Sequence, residues 1–101
     1  MKIEISDLTF NCIIGILDFE RIKKQKVIIN ISFEYEYSKD LFIDYSEISA
    51  LVKKTMKEQK FLLLEDAILY IESLLQNSYK IHNLKIKISK DKFYEICKQY
   101  E

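Results

Sequence analysis

The sequence contains no proline, no tryptophan, one histidine, two cysteines and a single glycine among its 101 residues. The scarcity of proline and glycine excludes Pro/Gly-rich linkers, low-complexity tails and glycine-rich phosphate loops. A zinc site with several histidine ligands is excluded because His82 has no second histidine to join it. Cys12 and Cys97 are not in CxxC spacing and lie in strand-like segments, so we expect small buried hydrophobic residues rather than a disulfide. Any catalysis is therefore expected to need neither a metal nor a cofactor.

The chain also lacks an excess of charge of either sign and any long hydrophobic segment. Sixteen Lys and Arg residues balance sixteen Asp and Glu residues, so no net field attracts nucleic acid or anionic lipid. No apolar run approaches the roughly 20 residues that cross a bilayer. The N-terminal segment MKIEISDLTF carries acidic residues where a signal peptide carries an apolar block. We expect a cytoplasmic protein with no nucleic-acid or membrane partner, folded as one domain over residues 1–101.

The hydrophobic pattern predicts four strands. In the first strand the alternation changes phase across Ser6-Asp7, which indicates a bulge. The run Gln25–Tyr37 places apolar side chains on one face and mostly polar ones on the other, so the sheet is covered on one side only. A third strand alternates over residues 84–89. The fourth is expected at about residues 93–100, after a turn at Asp91-Lys92.

Helical spacing predicts two helices between the second and third strands. The first begins at Asp44 or Ser46, and the second covers about Leu64–Ser78. Their short connection makes them antiparallel neighbours. The expected fold is therefore α+β, in the order ββααββ, with two antiparallel helices on one face of an antiparallel sheet. Both sheet edges are uncovered in a monomer, which favours an oligomer joined edge to edge.

Four chemically interesting side chains are predicted at the ends of four different elements. Because each element reverses the direction of the last, Glu20, Glu65 and Lys90 are expected at one end of the domain. Tyr45, at the start of the first helix, is expected at the opposite end. A site containing all four residues would have to be assembled from two subunits.

Each of these residues also has an ordinary structural explanation. On local sequence alone, Glu20 is an exposed loop acid among exposed basic residues, and Lys90 is a solvated lysine at a strand end. Tyr45 is a packed aromatic residue in a chain with seven tyrosines. Glu65 is an acid at a helix start, where unpaired backbone N–H groups stabilise it. The functional alternative for Glu65 is a carboxylate in a mostly apolar pocket, accepting two parallel N–H donors from a guanidine-like edge.

Four segments together resemble the dihydroneopterin aldolase family. They are IGILDFERIKKQ in the first loop, DYSEI at the first helix, LLLED at the second helix and LKIKISK in the third strand. Each segment alone is a weak signal, whereas four in the same order span nearly the whole chain. The resemblance implies the tunnelling fold (T-fold), with the sheets of four subunits joined into a barrel and two such rings stacked as an octamer. It also implies cleavage of 7,8-dihydroneopterin in folate biosynthesis.

The resemblance also implies a role for each candidate residue toward a small-molecule pterin substrate. Glu65 anchors the 2-amino and N3 edge of the pterin, with the Leu64-Glu65 backbone alongside. Lys90, paired with Glu20, is the general acid/base, and Glu20 also holds hydroxyls of the substrate side chain. Tyr45 comes from the neighbouring subunit, contacts the pterin and helps proton transfer. Neither a metal nor a Schiff base is required.

The C-terminal segment SKDKFYEICKQYE departs from the family pattern. The family has a longer, proline-containing loop after its Ser-Lys and then a Gly-Val-type last strand, whereas this chain enters its last strand almost directly. Two other functions remain open. One is a 2′-epimerase of the same fold acting on dihydroneopterin or its triphosphate, for which Arg21, Lys23 and Lys24 would supply positive charge. The other is a non-catalytic oligomeric pterin-binding protein.

Overall fold

The computed structural model describes residues 1–37, 42–90 and 95–100, the last group by its backbone alone. Within these ranges the α+β architecture is confirmed, with one short helix added between the first two strands. The elements are β1 (Lys2–Cys12), α1 (Asp18–Ile22), β2 (Gln25–Glu34), α2 (Tyr45–Gln59), α3 (Leu64–Ser78), β3 (His82–Ser89) and β4 (Glu95–Tyr100). The turn predicted at Asp91-Lys92 and the predicted start of the last strand at Phe93 lie outside the described residues.

The strands form one antiparallel sheet in the order β1-β2-β3-β4, so β1 and β4 are its edges. Apolar side chains of β2 point alternately into the core, where they are fully or almost fully buried: Val27, Ile29, Ile31 and Phe33. The prediction that Tyr37 continues this buried face is wrong, because β2 ends at Glu34 and Tyr37 is 58% exposed. The third strand, predicted over residues 84–89, begins two residues earlier, at His82.

The predicted bulge in the first strand is confirmed. The register between β1 and β2 shifts between Ile5 and Leu8, and Asp7 has a left-handed backbone with φ of 53°. The Asp7 N–H donates to the Asn30 side-chain oxygen at 2.8 Å. As a result both halves of the strand turn apolar side chains inward, with Ile5 and Phe10 buried.

Both long helices pack on one face of the sheet, as predicted. Asp44 is the N-cap of α2 and accepts a hydrogen bond from the Ser46 N–H at 2.8 Å. The helix ends at Gln59, and the left-handed conformation of its C-cap Lys60 (φ 48°) turns the chain toward α3. The buried face of the pair consists of Ile48, Val52, Met56, Ala67, Ile68, Ile71 and Leu75. None of the helices in the described ranges is long and apolar enough to cross a membrane.

Candidate active site

A cavity of ≈490 Å³ lies where three connections meet: the chain leaving β1, the connection between α2 and α3, and the end of β3. The residues lining it are Gly15, Ile16, Leu17, Phe19, Glu20, Gln25, Leu62, Leu63, Leu64, Glu65 and Lys90. Three of the four predicted polar residues, Glu20, Glu65 and Lys90, thus share one cavity. A larger depression of ≈630 Å³ near the start of β3 contains none of them, so volume alone does not identify the chemical site.

Glu20 is a buried carboxylate at the centre of a hydrogen-bond cluster. Its residue is only 5% exposed, which overturns the local interpretation of an exposed loop acid. One carboxylate oxygen accepts from the Leu17 N–H at 3.2 Å, and the other accepts from the Gln25 amide at 3.0 Å and from the Lys90 ammonium. The hydrogen bond from Lys90, followed by that from Gln25, lowers the pKa of Glu20 to about 2. The carboxylate is therefore ionised at neutral pH.

Lys90 directly follows β3 and reaches the same buried site. Its side chain is 14% exposed and forms an ion pair with Glu20, whose side chain is 7% exposed. The interpretation of Lys90 as a solvated strand-end lysine is therefore wrong. The pairing of the strands explains why Lys90 reaches Glu20, since β3 lies beside β2 with Ser89 opposite Ile28. That register brings the end of β3 and the start of β2 to the same end of the sheet.

Gln25 is a site residue to which sequence reasoning assigned no role. Its side-chain amide donates to the Ile14 carbonyl at 3.2 Å as well as to Glu20. It is the first residue of β2 and pairs with Cys12, the last residue of β1. The sequence signal that could have identified it is a polar side chain at the start of β2, directly after the segment that carries Glu20.

The only glycine in the sequence leaves space for the Glu20 carboxylate. Gly15 has φ of +130°, and a Cβ built there would lie 2.3 Å from the carboxyl carbon of Glu20. A side chain at this position would therefore suffer both a strained backbone and a collision. The Gly15 N–H also donates to the Phe61 carbonyl at 3.1 Å, joining the loop to the α2–α3 connection.

Glu65 is the second residue of α3 and lies at an apolar rim of the cavity. Its side chain is exposed in the single chain, beside the half-exposed Leu62 and Leu63. Ile16 and Phe19, which line the same cavity, also expose most of their surface. Backbone N–H groups at a helix start favour a carboxylate. Glu65 and its apolar neighbours therefore form a wall with a carboxylate that can accept two parallel hydrogen bonds. The apolar surface beside it suits a flat heterocycle.

Tyr45 does not belong to the cavity of its own chain. It is the first residue of α2, whereas the far end of that helix adjoins the cavity through Lys60 and Phe61. A helix of fifteen residues separates its ends by about 21 Å. Tyr45 is also 62% exposed, so the interpretation as a packed aromatic residue is wrong.

The three basic residues considered for triphosphate binding differ in their surroundings. Arg21 is engaged by protein groups, since its guanidinium donates to the carbonyls of Gly15, Phe61 and Lys60. Lys23 and Lys24 are exposed and do not line the cavity. Among the side chains that the structure describes, no three His, Cys, Asp or Glu residues are grouped closely enough to hold a metal ion.

Comparisons with known proteins cover nearly the whole chain. The FolB family profile, described as dihydroneopterin aldolase, matches residues 3–99. A dihydroneopterin aldolase of Haemophilus influenzae is 29% identical over an alignment of 98 residues that covers 90% of this chain and 83% of that protein.

Two solved structures share the fold along the full length. The first is Escherichia coli dihydroneopterin aldolase in complex with neopterin, with a TM-score of 0.89 and 18% identity; the match covers 100% of this chain and 99% of that one. The second, described as a putative dihydroneopterin aldolase (FolB) of Vibrio cholerae, has a TM-score of 0.87 and 21% identity, covering 98% and 95%. The predicted T-fold is thereby confirmed.

Proposed function

This chain belongs to the dihydroneopterin aldolase family, and from that premise we propose that it converts 7,8-dihydroneopterin into 6-hydroxymethyl-7,8-dihydropterin and glycolaldehyde. One observation carries the proposal. The buried Glu20 carboxylate holds the Lys90 ammonium at the base of a cavity whose rim carries Glu65. A proton-transferring pair and an acceptor for a heterocycle edge thus share one cavity.

Glu65 binds the pterin. Its carboxylate accepts the 2-amino and N3 hydrogens as two parallel hydrogen bonds, and the Leu64-Glu65 backbone lies alongside the ring. The apolar side chains of Leu62 and Leu63 supply flat contact surface. The neopterin bound by the Escherichia coli relative supports a ligand of this class.

Lys90 and Glu20 transfer protons during the cleavage. In the substrate the C6=N5 imine is conjugated with the side chain, so it accepts electrons without a Schiff base. Lys90, in its neutral amine form, takes the proton of the 2′-hydroxyl through a bound water and becomes the ammonium that Glu20 holds, and the C1′–C2′ bond breaks. C2′ becomes the aldehyde carbon of glycolaldehyde, and the bonding electrons form an enamine between C1′ and C6. Protonation at C1′ restores the imine and completes the product, with Glu20 orienting the ammonium and the substrate hydroxyls.

Tyr45 reaches this site from a neighbouring subunit. The edges β1 and β4 allow chains to join their sheets side by side, and four chains close a ring that stacks into an octamer. In that arrangement the exposed phenol of Tyr45 contacts the pterin and assists proton transfer. The assembled enzyme is proposed to work in the cytoplasm.

Incubation of the purified protein with 7,8-dihydroneopterin tests the proposal. Release of glycolaldehyde together with the 6-hydroxymethyl product supports aldolase activity. Formation of the 2′-epimer alone would instead support the epimerase. Tight binding of the pterin without any turnover would support a binding protein.

A further inference from the structure

Arg21 forms three hydrogen bonds that join two separate parts of the chain. Its Nη1 donates to the Gly15 carbonyl at 3.1 Å and to the Phe61 carbonyl at 3.2 Å. Its Nη2 donates to the Lys60 carbonyl at 2.8 Å. The planar guanidinium presents several N–H groups in a fixed arrangement, so these three carbonyls are held in a defined geometry.

The carbonyls belong to, or directly precede, two segments that form two separate walls of the cavity. Gly15 starts the loop that leads into α1 and Glu20. Lys60 and Phe61 start the connection that leads into α3 and Glu65. Lys60 is the C-cap of α2 and Phe61 follows it, so Arg21 lies beside the C-terminal end of that helix, which favours a cation. The Gly15 N–H bond to the Phe61 carbonyl ties the same two segments.

Arg21 is also the direct neighbour of Glu20 within the five-residue helix α1. Glu20 points to Gln25 and Lys90, whereas Arg21 points to the carbonyls at the end of α2. Any shift of α1 would therefore move the carboxylate relative to Glu65 on the other wall. Because the substrate is held at one wall and deprotonated at the other, the spacing between the walls decides whether its side chain meets Lys90.

We propose that Arg21 is a positioning residue that fixes the distance between the pterin-binding wall and the proton-transferring pair. The inference rests on the proposed function for its catalytic consequence. Loss of the guanidinium leaves the Glu65 wall intact but lets the loop carrying Glu20 drift. A misplacement of about 1 Å reduces turnover by about 100-fold.

Two substitutions and one control test this role. Arg21→Met keeps an apolar stem without donors, and Arg21→Lys keeps the charge but replaces the fork by a single ammonium. Lys54→Met removes an exposed cation of α2 that does not line the cavity. For each protein, kcat and KM with 7,8-dihydroneopterin are measured well below its melting temperature, together with the Kd for 6-hydroxymethylpterin.

We expect Arg21→Met to lower kcat by about 10- to 100-fold while the Kd for 6-hydroxymethylpterin changes only a few-fold. Arg21→Lys should recover part of the loss, and Lys54→Met should behave as the unsubstituted protein. A fully folded Arg21→Met protein with unchanged kcat overturns the inference, even if its melting temperature falls, because a purely structural role predicts that result.

Hydrogen exchange provides a readout that does not depend on turnover. The Gly15 amide should exchange faster in Arg21→Met than in Lys54→Met. Its hydrogen bond to the Phe61 carbonyl is no longer supported by the hydrogen bonds that Arg21 donates to the Gly15 and Phe61 carbonyls. Unchanged exchange at Gly15 would refute the coupling between the walls. If the unsubstituted protein does not cleave the substrate, the proposed function fails, and the exchange experiment still decides whether Arg21 joins the two segments.

Discussion

Glu20 and Lys90 depend on each other for their place in the cavity. A buried carboxylate is stable only when it is paired and hydrogen-bonded, and Lys90, Gln25 and the Leu17 N–H satisfy this one. The same pairing keeps the ammonium of Lys90 in a mostly buried position. Structural stability and the proposed proton transfer therefore depend on the same contact.

Replacement of Lys90 should remove turnover without removing pterin binding. Lys90→Ala deletes the group that takes the substrate proton, and proton transfer by a positioned side chain is typically worth about 10²- to 10⁴-fold in rate. We expect kcat to fall by that order, while the Kd for 6-hydroxymethylpterin stays within a few-fold because Glu65 is unchanged. Lys85→Ala, an exposed lysine of the same strand, is the matched control. Normal activity of Lys90→Ala would show that the general-base assignment is wrong.

Replacement of Glu65 should weaken binding itself. Hydrogen bonds to a charged group are worth about 1.5–3 kcal/mol, so Glu65→Gln should raise the Kd for 6-hydroxymethylpterin by about 10- to 100-fold. Asp66→Asn removes the neighbouring exposed carboxylate and should leave the Kd almost unchanged. Equal effects of both substitutions would indicate that only the charge at the start of α3 matters.

The lowered pKa of Glu20 predicts a defined loss of stability in acid. Its pKa is about 2 in the folded protein instead of the ordinary 4.5, so the folded state binds the proton less readily than the unfolded chain. The stabilisation from ionised Glu20 is complete above the ordinary pKa and is lost progressively as pH falls from about 4.5 toward about 2. Urea unfolding should show a smaller stability difference between the unsubstituted protein and Glu20→Gln at pH 3 than at pH 6. Parallel pH profiles for the two proteins would contradict this prediction.

The elements that sequence reasoning located well are those with a long, regular hydrophobic pattern. The second long helix was predicted at Leu64–Ser78 and occupies those residues, because its apolar residues recur every turn and pack on the sheet. The alternation of β2 likewise indicated which side of the sheet is covered. Periodicity reports burial, and burial determines where these elements lie.

Helix α1 could not be predicted in the same way. Five residues are too short for a helical period, and its apolar side chains Phe19 and Ile22 are 60% and 85% exposed. Its one buried side chain is the charged residue Glu20, which reverses the usual relation between polarity and burial. That burial results from Lys90, seventy positions away, so local sequence contained no sign of it.

The loop before α1 tolerates no side chain at Gly15, and this predicts a second route to inactivity. Gly15→Ala would place its Cβ against the Glu20 carboxylate in a backbone conformation that L-residues avoid. We expect a loss of about 1–3 kcal/mol in unfolding free energy together with lower kcat, measured by urea unfolding and steady-state kinetics. Ser73→Ala, at an exposed position of α3 that does not line the cavity, is a control at a distance. A stable and fully active Gly15→Ala protein would mean that Glu20 can move without consequence.

At the scale of the whole molecule, three features of the single chain support the proposal that its site is completed by a neighbouring subunit. The apolar rim of the cavity remains exposed, Tyr45 is exposed about one helix length away, and both edge strands are available for pairing. A neighbouring chain that paired along an edge would cover apolar surface and supply the missing phenol. These three features therefore have one common explanation in an oligomer with shared sites.

Mixed oligomers of two inactive variants distinguish shared sites from sites within one chain. If each site combines Lys90 of one chain with Tyr45 of its neighbour, randomly mixed Lys90→Ala and Tyr45→Ala chains contain some sites with both residues intact. For an equal mixture, refolded together, that fraction is about a quarter, so about a quarter of the original activity should return. A mixture of Lys90→Ala with Glu20→Gln should recover nothing, because both residues line the cavity of the same chain. Recovery in neither mixture would mean that Tyr45 acts only within its own chain, whereas a Tyr45→Ala protein that is fully active by itself would mean that Tyr45 has no role in the site.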